Sequence, residues 1–266
     1  MNQERILIGM SGGVDSSVAA RLLTNHASCT GATMHLYGDA SQSIADAAAV
    51  CRHMGIEHLV WDLQQEFEQL VIRDFISAYE SGLTPNPCIR CNFSLKFGLL
   101  LDRALTMGFD AVATGHYARI RKDPDTGRYL LYKAADIKKD QTYFLACLNQ
   151  HQLAHSRFPL GELTKEQVRL LAEEQGLLNA RKRDSQDICF VPDGDYVAFM
   201  EQHTGKAYPR GNYIDVNGTV LGKHRGAVCY TIGQRKGLGI AFGAPTYVVG
   251  KDAATNTVTP GSVMIP

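Results

Sequence analysis

The chain has 266 residues, 45% of them hydrophobic and 20% charged, with 27 Lys plus Arg balancing 27 Asp plus Glu. This composition excludes a disordered or collagen-like chain and a disulfide-stapled miniprotein, and at about 100 to 200 residues per domain the length suits one large domain and one small one. A formal charge of zero argues against a nonspecific polyanion binder and still allows local basic patches.

From the N-terminus, short β-like runs alternate with helical patterns. Arg5 to Met10 precedes a helix with Val14, Val18 and Leu22 in register, and Gly31 to Leu36 precedes one with Ile44, Ala48 and Cys51 on one face. Ile56 to Leu63 precedes a helix carrying Phe67, Leu70, Val71 and Phe75. A further helix with Phe97, Leu100, Leu101 and Ala104, closed by Gly108, leads into Ala111 to Thr114. Such alternation implies a parallel sheet, so residues 1–202 are expected to form an α/β doubly wound domain. Within it a hairpin, Tyr117 to Arg121 and Tyr129 to Lys133, turns at Asp123 to Gly127, and Thr164 with Gln167 reads as a capping box opening a helix that Gly176 ends. From about residue 203 the composition changes: 11 of the 25 glycines fall between Gly205 and Gly261, with an Asn217-Gly218 turn between two β-like runs. Residues 203–266 are expected to form a small β-rich domain.

No run reaches the roughly 18 to 20 apolar residues of a membrane span, and Met1 to Arg5 leads straight into a short apolar run. A cytoplasmic protein is expected. Seven cysteines, an odd number, do not read as a secreted disulfide framework, so each is core filler, catalyst or metal ligand.

The sharpest motif is Gly9-Met10-Ser11-Gly12-Gly13-Val14-Asp15-Ser16-Ser17, between the first strand and the first helix. Adjacent glycines let the backbone approach an anion, Ser hydroxyls add donors, and the helix N-terminus offers unpaired N–H groups and its positive dipole end. The Lys of a Walker A loop is missing, which removes a kinase-like or GTPase-like reading. Asp15 would repel phosphate unless a divalent cation lay between them, which points to Mg²⁺. The loop resembles that of the pyrophosphatase-loop (PP-loop) ATP-binding proteins, whose members cleave ATP between the α and β phosphates. That resemblance implies ATP and leaves the substrate open.

Two cysteines sit where sulfur chemistry could use them. Cys91 lies beyond the rigid Pro85-Asn86-Pro87 turn and before the helix carrying Phe97, at a helix N-terminus expected to lower a thiol pKa. Cys189 follows Arg181-Lys182-Arg183, whose charge would also favour thiolate. One thiol carrying a persulfide and a second resolving it by exchange is the arrangement that sulfur transfer needs. Cys29, Cys51, Cys147 and Cys229 lie in helical or strand contexts and are expected in the core.

Five segments, Thr84 to Asn92, Ala113 to Tyr117, Lys139 to Leu145, Asp184 to Phe190 and Tyr230 to Gly239, together with the loop, resemble the bacterial tRNA-specific 2-thiouridylases, the MnmA family. The resemblance runs from the first loop to near residue 260. It implies ATP-dependent replacement of the C2 oxygen of the wobble uridine by sulfur in the tRNAs for Lys, Glu and Gln, through an adenylated uridine. Cys189 would hold the persulfide, Cys91 would act as nucleophile, and a Cys91–Cys189 disulfide would result. The loop residues Gly9 to Ser16, with Met34 and Gly115, would contact ATP. Asn86, Pro87, Cys88, His116, Lys139, Asp140 and Gln141 would face the tRNA, whose target base must leave its stack. The sulfur would come from a donor protein, a cysteine desulfurase or sulfur carrier, or from inorganic sulfide.

Cys88 departs from the family, where many members have Asp. Cys88, Cys91 and Cys189 could instead hold an iron-sulfur cluster of the 4Fe-4S type with one iron open to sulfide, so persulfide and cluster routes both stand. A second departure is length: the family usually continues into a C-terminal β-barrel, and this chain stops at Met264-Ile265-Pro266. Basic groups at Arg119, Arg121 and Lys122, Lys138 and Lys139, Arg181 to Arg183, Lys223 and Arg225, and Arg235 and Lys236 are expected to build an RNA-binding face. Rival readings are an amine-adding ligase of the same nucleotide fold and a noncatalytic RNA-binding or sulfur-relay module.

Overall fold

The computed structural model describes residues 3–182, 188–240 and 243–262. Two compact units divide the chain, Met1–Val71 with Cys88–Gln186, and Ile72–Pro87 with Asp187–Pro266. In chain order the elements are β1 (Arg5–Gly9), α1 (Val14–Leu23), β2 (Ser28–His35), α2 (Ser41–Met54), β3 (Glu57–Asp62), α3 (Gln64–Phe67), α4 (Arg73–Glu80), α5 (Pro87–Cys91), α6 (Leu100–Thr106) and β4 (Ala111–Ala113). They continue with β5 (Ala118–Lys122), β6 (Tyr129–Lys133), α7 (Gln150–Ala154), β7 (Ser156–Arg157), α8 (Lys165–Glu174), α9 (Tyr196–Thr204), β8 (Gly211–Ile214), β9 (Val220–His224), β10 (Tyr247–Asp252) and β11 (Thr257–Gly261). Glu68–Ile72 and Asn92–Leu99 are wound as π-helix, a wider turn than helical periodicity reveals.

The first unit is built on five parallel strands in the order β3-β2-β1-β4-β7. Ile6 and Ile8 of β1 pack on one face with Ala20, Ala47, Val50 and Cys51, while Leu7 packs on the other with Leu100, Leu101, Ala104 and Val112. Burial on both faces explains why β1 reads as an apolar run rather than an alternating one. β2 and β3 lie to one side of β1, and β4 and β7 to the other. The loops leaving β1 and β4 therefore emerge side by side at the C-terminal edge, the switch point where doubly wound sheets bind ligands. Antiparallel β5 and β6 pair from Ala118–Lys133 to Lys122–Tyr129, and the Thr164–Gln167 capping box forms both of its hydrogen bonds.

The second unit has a four-stranded mixed sheet, β10-β11-β8-β9, parallel only between β11 and β8. Its core is Tyr213, Ala227, Tyr230, Leu238, Val248 and Val258. Helix α4 belongs to this unit. Phe75 meets Phe190 edge-on at 5.2 Å, Tyr79 stacks on Tyr196 at 4.4 Å, and Glu80 accepts from Lys206 Nζ at 2.7 Å and from the Tyr208 hydroxyl at 2.9 Å. Helical periodicity in residues 64–80 records that a face is buried and does not say which unit buries it.

Gly115, two residues past β4, lies flat against the first turn of α1: a Cβ there would stand 2.7 Å from the backbone C of Asp15 and N of Ser16. Gly115→Ala is expected to push the α1 N-terminus off the sheet, costing about 1 to 3 kcal/mol in denaturant unfolding. The same shift is expected to weaken ATP binding in calorimetric titration.

Candidate active site

The loop from Gly9 to Ser16 is held open by its own side chains. Gly12 adopts φ +69°, and a Cβ there would lie 2.7 Å from the Ser43 carbonyl oxygen, so only glycine fits this bend against α2. The Ser16 hydroxyl donates to the Gly13 carbonyl at 3.1 Å and accepts from the Ser11 amide at 3.3 Å, with the Ser11 hydroxyl 3.2 Å away. Met10 is buried, its amide donating to Ala32 O at 2.8 Å and its carbonyl accepting from the Thr33 hydroxyl at 2.9 Å. Val14 is buried beside Val18, Tyr117 and Leu160, which seats the start of α1. No side chain caps α1 at Gly13, so its first-turn amides keep the anion-binding character expected of the motif.

Four residues outside the motif complete the loop. Lys165, buried at the start of α8, places Nζ 2.7 and 2.9 Å from the two Asp15 carboxylate oxygens, and the Tyr117 hydroxyl donates to Oδ1 at 2.8 Å. Asn179 Nδ2 donates to the Gly12 carbonyl at 3.0 Å and to the Ser17 hydroxyl at 2.8 Å. Lys182 Nζ lies 3.2 Å from the same carbonyl and 2.7 Å from Asp46 Oδ2, and it holds the Asp46 carboxyl below the usual range. One sequence signal marks Lys165: a cation in the first turn of a helix opposes the dipole and needs a partner. For Asn179 and Lys182 no local signal exists.

This geometry removes the reason for expecting Mg²⁺ at Asp15. The carboxylate is neutralised by Lys165 rather than waiting for a divalent cation, so it does not fit a metal ligand's role as arranged. Among the described residues no three His, Cys, Asp or Glu side chains gather as a metal site.

Met34 is half-buried at the end of β2 and packs against Leu7, Ala32 and Leu101, leaving part of its side chain at the sheet edge. His116 follows Gly115. Its Nδ1 lies 2.7 Å from the Thr114 hydroxyl and its ring stands 5.9 Å from both Phe97 and Phe158. Desolvation, with the Lys96 ammonium adding to it, pushes the imidazole well below 6.5, so the ring is neutral at physiological pH. Asp140 accepts from the Ala134 amide at 2.8 Å and the Thr142 hydroxyl at 2.6 Å. Gln141 is paired through side chain and backbone with the Tyr117 backbone at 2.9 Å. Both therefore hold the loop to the hairpin, whereas Lys139 and Tyr143 of this segment are exposed.

The cysteines also differ from expectation. Helix α5 begins at Pro87, with half-buried Asn86 before it, so Cys88 occupies the first turn and Cys91 its last residue, continuous with the π-wound stretch. Cys91 is 8% exposed, and burial raises its thiol pKa against a smaller opposing pull from Lys96, so the expected N-terminal lowering does not apply. Cys88 is exposed. Cys189 is exposed on a turn closed by Val191 N to Ile188 O at 2.8 Å and anchored by buried Phe190. Lys182 is engaged at the loop, and Arg183 and Asp184 to Asp187 lie outside the described residues. Cys51 is core, pushed up to about 11 by burial, and Cys29 and Cys229 are half-buried. Cys147, expected in the core, is exposed because Leu145 and Leu148 take the inward positions around it. Of the basic groups, Arg119 and Arg121 pair with Glu162 at 3.1 and 3.2 Å, while Lys138, Lys139, Lys223, Arg225, Arg235 and Lys236 are exposed.

Comparison with known proteins divides the chain at about residue 195. Residues 4–193 match the family model described as tRNA methyl transferase HUP domain, and residues 197–262 match tRNA methyl transferase PRC-barrel domain. The chain is 50% identical over 267 residues to the tRNA-specific 2-thiouridylase MnmA of Treponema denticola, covering 97% of this chain and 73% of that one. The chain belongs to the MnmA family. The Pelobacter propionicus MnmA is 51% identical over 263 residues, covering 97% of this chain and 74% of its own length. A solved U34-tRNA thiolase, NcsA from Methanococcus maripaludis with its [4Fe-4S] cluster, is 19% identical with a TM-score of 0.48 over 76% of this chain and 68% of that one. Among the described residues, no helix is long and apolar enough to cross a membrane.

Lys165→Met leaves Asp15 beside the loop without its cation and is expected to cost about 3 kcal/mol in urea unfolding, part of which Asp15→Asn restores in the double variant. For His116 the native pKa lies below the unfolded value near 6.5. Between the two the unfolded chain binds a proton that the native one does not, so stability falls as pH drops through about 6.5. Unfolding of His116→Gln measured from about pH 7.5 to 5.5 is expected to show a flatter slope than wild type.

Proposed function

We propose that this chain is an ATP-dependent tRNA 2-thiouridylase that sulfurates the wobble uridine of the tRNAs for Lys, Glu and Gln. The observation that carries the reading is the pre-shaped anion loop at the switch point of a chain half identical to MnmA proteins over 97% of its length. ATP places its phosphates on the Gly9 to Ser16 amides and hydroxyls, with Met34 at the adenine end and Gly115 letting β4 approach the loop. Uridine O2 attacks the α-phosphorus and pyrophosphate leaves, its charge met by the α1 N-terminus and the Ser hydroxyls.

Sulfur follows by exchange. Cys189 carries a persulfide whose outer sulfur is delivered, already at the sulfane level, by the persulfide of a donor protein; inorganic sulfide serves the iron-sulfur reading instead. The Cys91 thiolate attacks Cys189 Sγ, the terminal sulfur leaves as hydrosulfide, and a Cys91–Cys189 disulfide forms. Hydrosulfide then adds to C2 and expels AMP. Cys91 is raised in pKa by burial and must lose its proton to react. Lys96, which both Cys91 and His116 sense, favours the thiolate, and neutral His116 is in the protonation state of a base. Asn86 and Pro87 shape the entrance to α5. Lys139 faces the RNA from a segment that Asp140 and Gln141 hold in place. The exposed lysines and arginines of both units meet tRNA phosphates, which makes binding salt-dependent. Mg²⁺ would arrive with the nucleotide, and an iron-sulfur route is the second reading because Cys88 and Cys91 form a Cys-x-x-Cys pair.

Nucleoside mass spectrometry of tRNA incubated with the chain, ATP, Mg²⁺ and a persulfide donor is expected to show 2-thiouridine with matching AMP. Cys91→Ser and Cys189→Ser are each expected to lower the rate by about 100-fold or more. ATP turnover on bound tRNA without 2-thiouridine would instead identify a different adenylating RNA enzyme.

A further inference from the structure

The reaction proposed above leaves Cys88 unused, yet it is the solvent-accessible member of a Cys-x-x-Cys pair. It sits exposed in the first turn of α5, directly after Pro87, and Cys91 lies buried three residues further on. A Cys-x-x-Cys pair opening a helix, with the first thiol in solvent and the second withdrawn, is an arrangement suited to intramolecular exchange, since the outer sulfur meets solvent reagents and the inner one does not.

We propose that Cys88 is the resolving thiol of this site: it attacks Cys91 in the Cys91–Cys189 disulfide left by sulfur transfer, forming a Cys88–Cys91 disulfide and returning Cys189 as a thiol ready to be loaded again. The inference rests on the thiolase reading above. The Cys88 thiolate gives its electron pair to Cys91 Sγ, the Cys91–Cys189 bond breaks, and Cys189 leaves as thiolate and takes up the proton that Cys88 lost. One disulfide replaces another, so no outside electrons enter. A dithiol reductant, of the small redox-protein class or dithiothreitol in vitro, then attacks the exposed Cys88 sulfur, and two electrons and two protons restore both thiols.

Geometry favours this route. Residues three apart on a helix stand about 5 to 6 Å apart at Cβ and a disulfide needs about 3.5 to 4.5 Å, so closure takes about 1 to 2 Å of movement in a terminal turn. Three-residue spacing also gives Cys88 an effective concentration that a diffusing reductant does not match. External attack on Cys189 would leave a mixed disulfide on the very sulfur that must be reloaded, whereas attack by Cys88 on Cys91 clears it.

The test uses the whole chain with ATP, Mg²⁺, tRNA and a persulfide-loading system, first without dithiol reductant, quenched with an alkylating reagent. Trypsin cuts after Arg90, between the two cysteines, so a Cys88–Cys91 bridge appears as peptide 74–90 linked to peptide 91–96. Wild type is expected to accumulate that linked pair in step with 2-thiouridine and to resume turnover when dithiothreitol is added. Cys88→Ser and Cys88→Ala are expected to accumulate the Cys91–Cys189 link instead, with later turnovers slowed at least about tenfold more than the first. The proposal is overturned if wild type makes 2-thiouridine and shows only the Cys91–Cys189 link, or if both variants keep the wild-type ratio of first to later turnovers. Protection of Cys88 and Cys91 from alkylation by bound iron, assayed on the same preparation, overturns it as well. Absence of 2-thiouridine in wild type would sink the thiolase reading itself, a distinct result.

Discussion

A carboxylate beside a phosphate loop has to be neutralised, and the Asp15–Lys165 pair does this with both oxygens engaged and the ammonium buried. Because Lys165 opens α8, the pair ties a helix 150 residues downstream to the first turn of α1. Tyr117 reaches the same carboxylate from the hairpin, and Asn179 and Lys182 hold the Gly12 carbonyl. The loop is thus fastened by three later parts of the chain. Such fastening is what electrostatic stabilisation of a leaving pyrophosphate requires, since donors that must reorganise during the reaction lose much of their effect.

The proposed sulfur chemistry rests on contrast of environment rather than on charge. Cys91 is withdrawn and raised, while Cys88 and Cys189 are in solvent. A buried thiol is shielded from adventitious oxidation and reacts only with a sulfur brought to it, so in the proposed reaction the order of exchange follows from access. His116, kept neutral by its aromatic surroundings, belongs to the same pattern: desolvation tunes the groups at the end of β4 and along the helix from Cys91, and Lys96 modulates both.

Local pattern shows that a residue matters more readily than it shows why. Asp140 and Gln141 are legible as a functional segment, yet their side chains turn inward to the hairpin, a distinction that requires knowing where residues 117 and 134 lie. Cys147 reads as core because it neighbours Leu145 and Leu148, and those two leucines are why it is not. The helix after Pro87 is visible from its proline turn, but its first residue lies four positions before Cys91, so it is Cys88 and not Cys91 that stands in the first turn. Helix α4 carries a sound apolar face and packs in the second compact unit, a choice of partner to which periodicity is blind.

By itself the sequence determined the parallel α/β frame, the phosphate loop, the hairpin and the capping box, because each is announced by spacing and residue type within a short window, even where its contacts are formed at long range. It also carried the family resemblance, since that needs only motifs in order. The tertiary structure alone decided which cation neutralises Asp15, which thiol is withdrawn from water, and which residues support the loop from a distance. Those are matters of desolvation and of pairing between residues far apart in the chain, as in Tyr117 with Asp15, and no local pattern encodes which distant side chain will fill a given space.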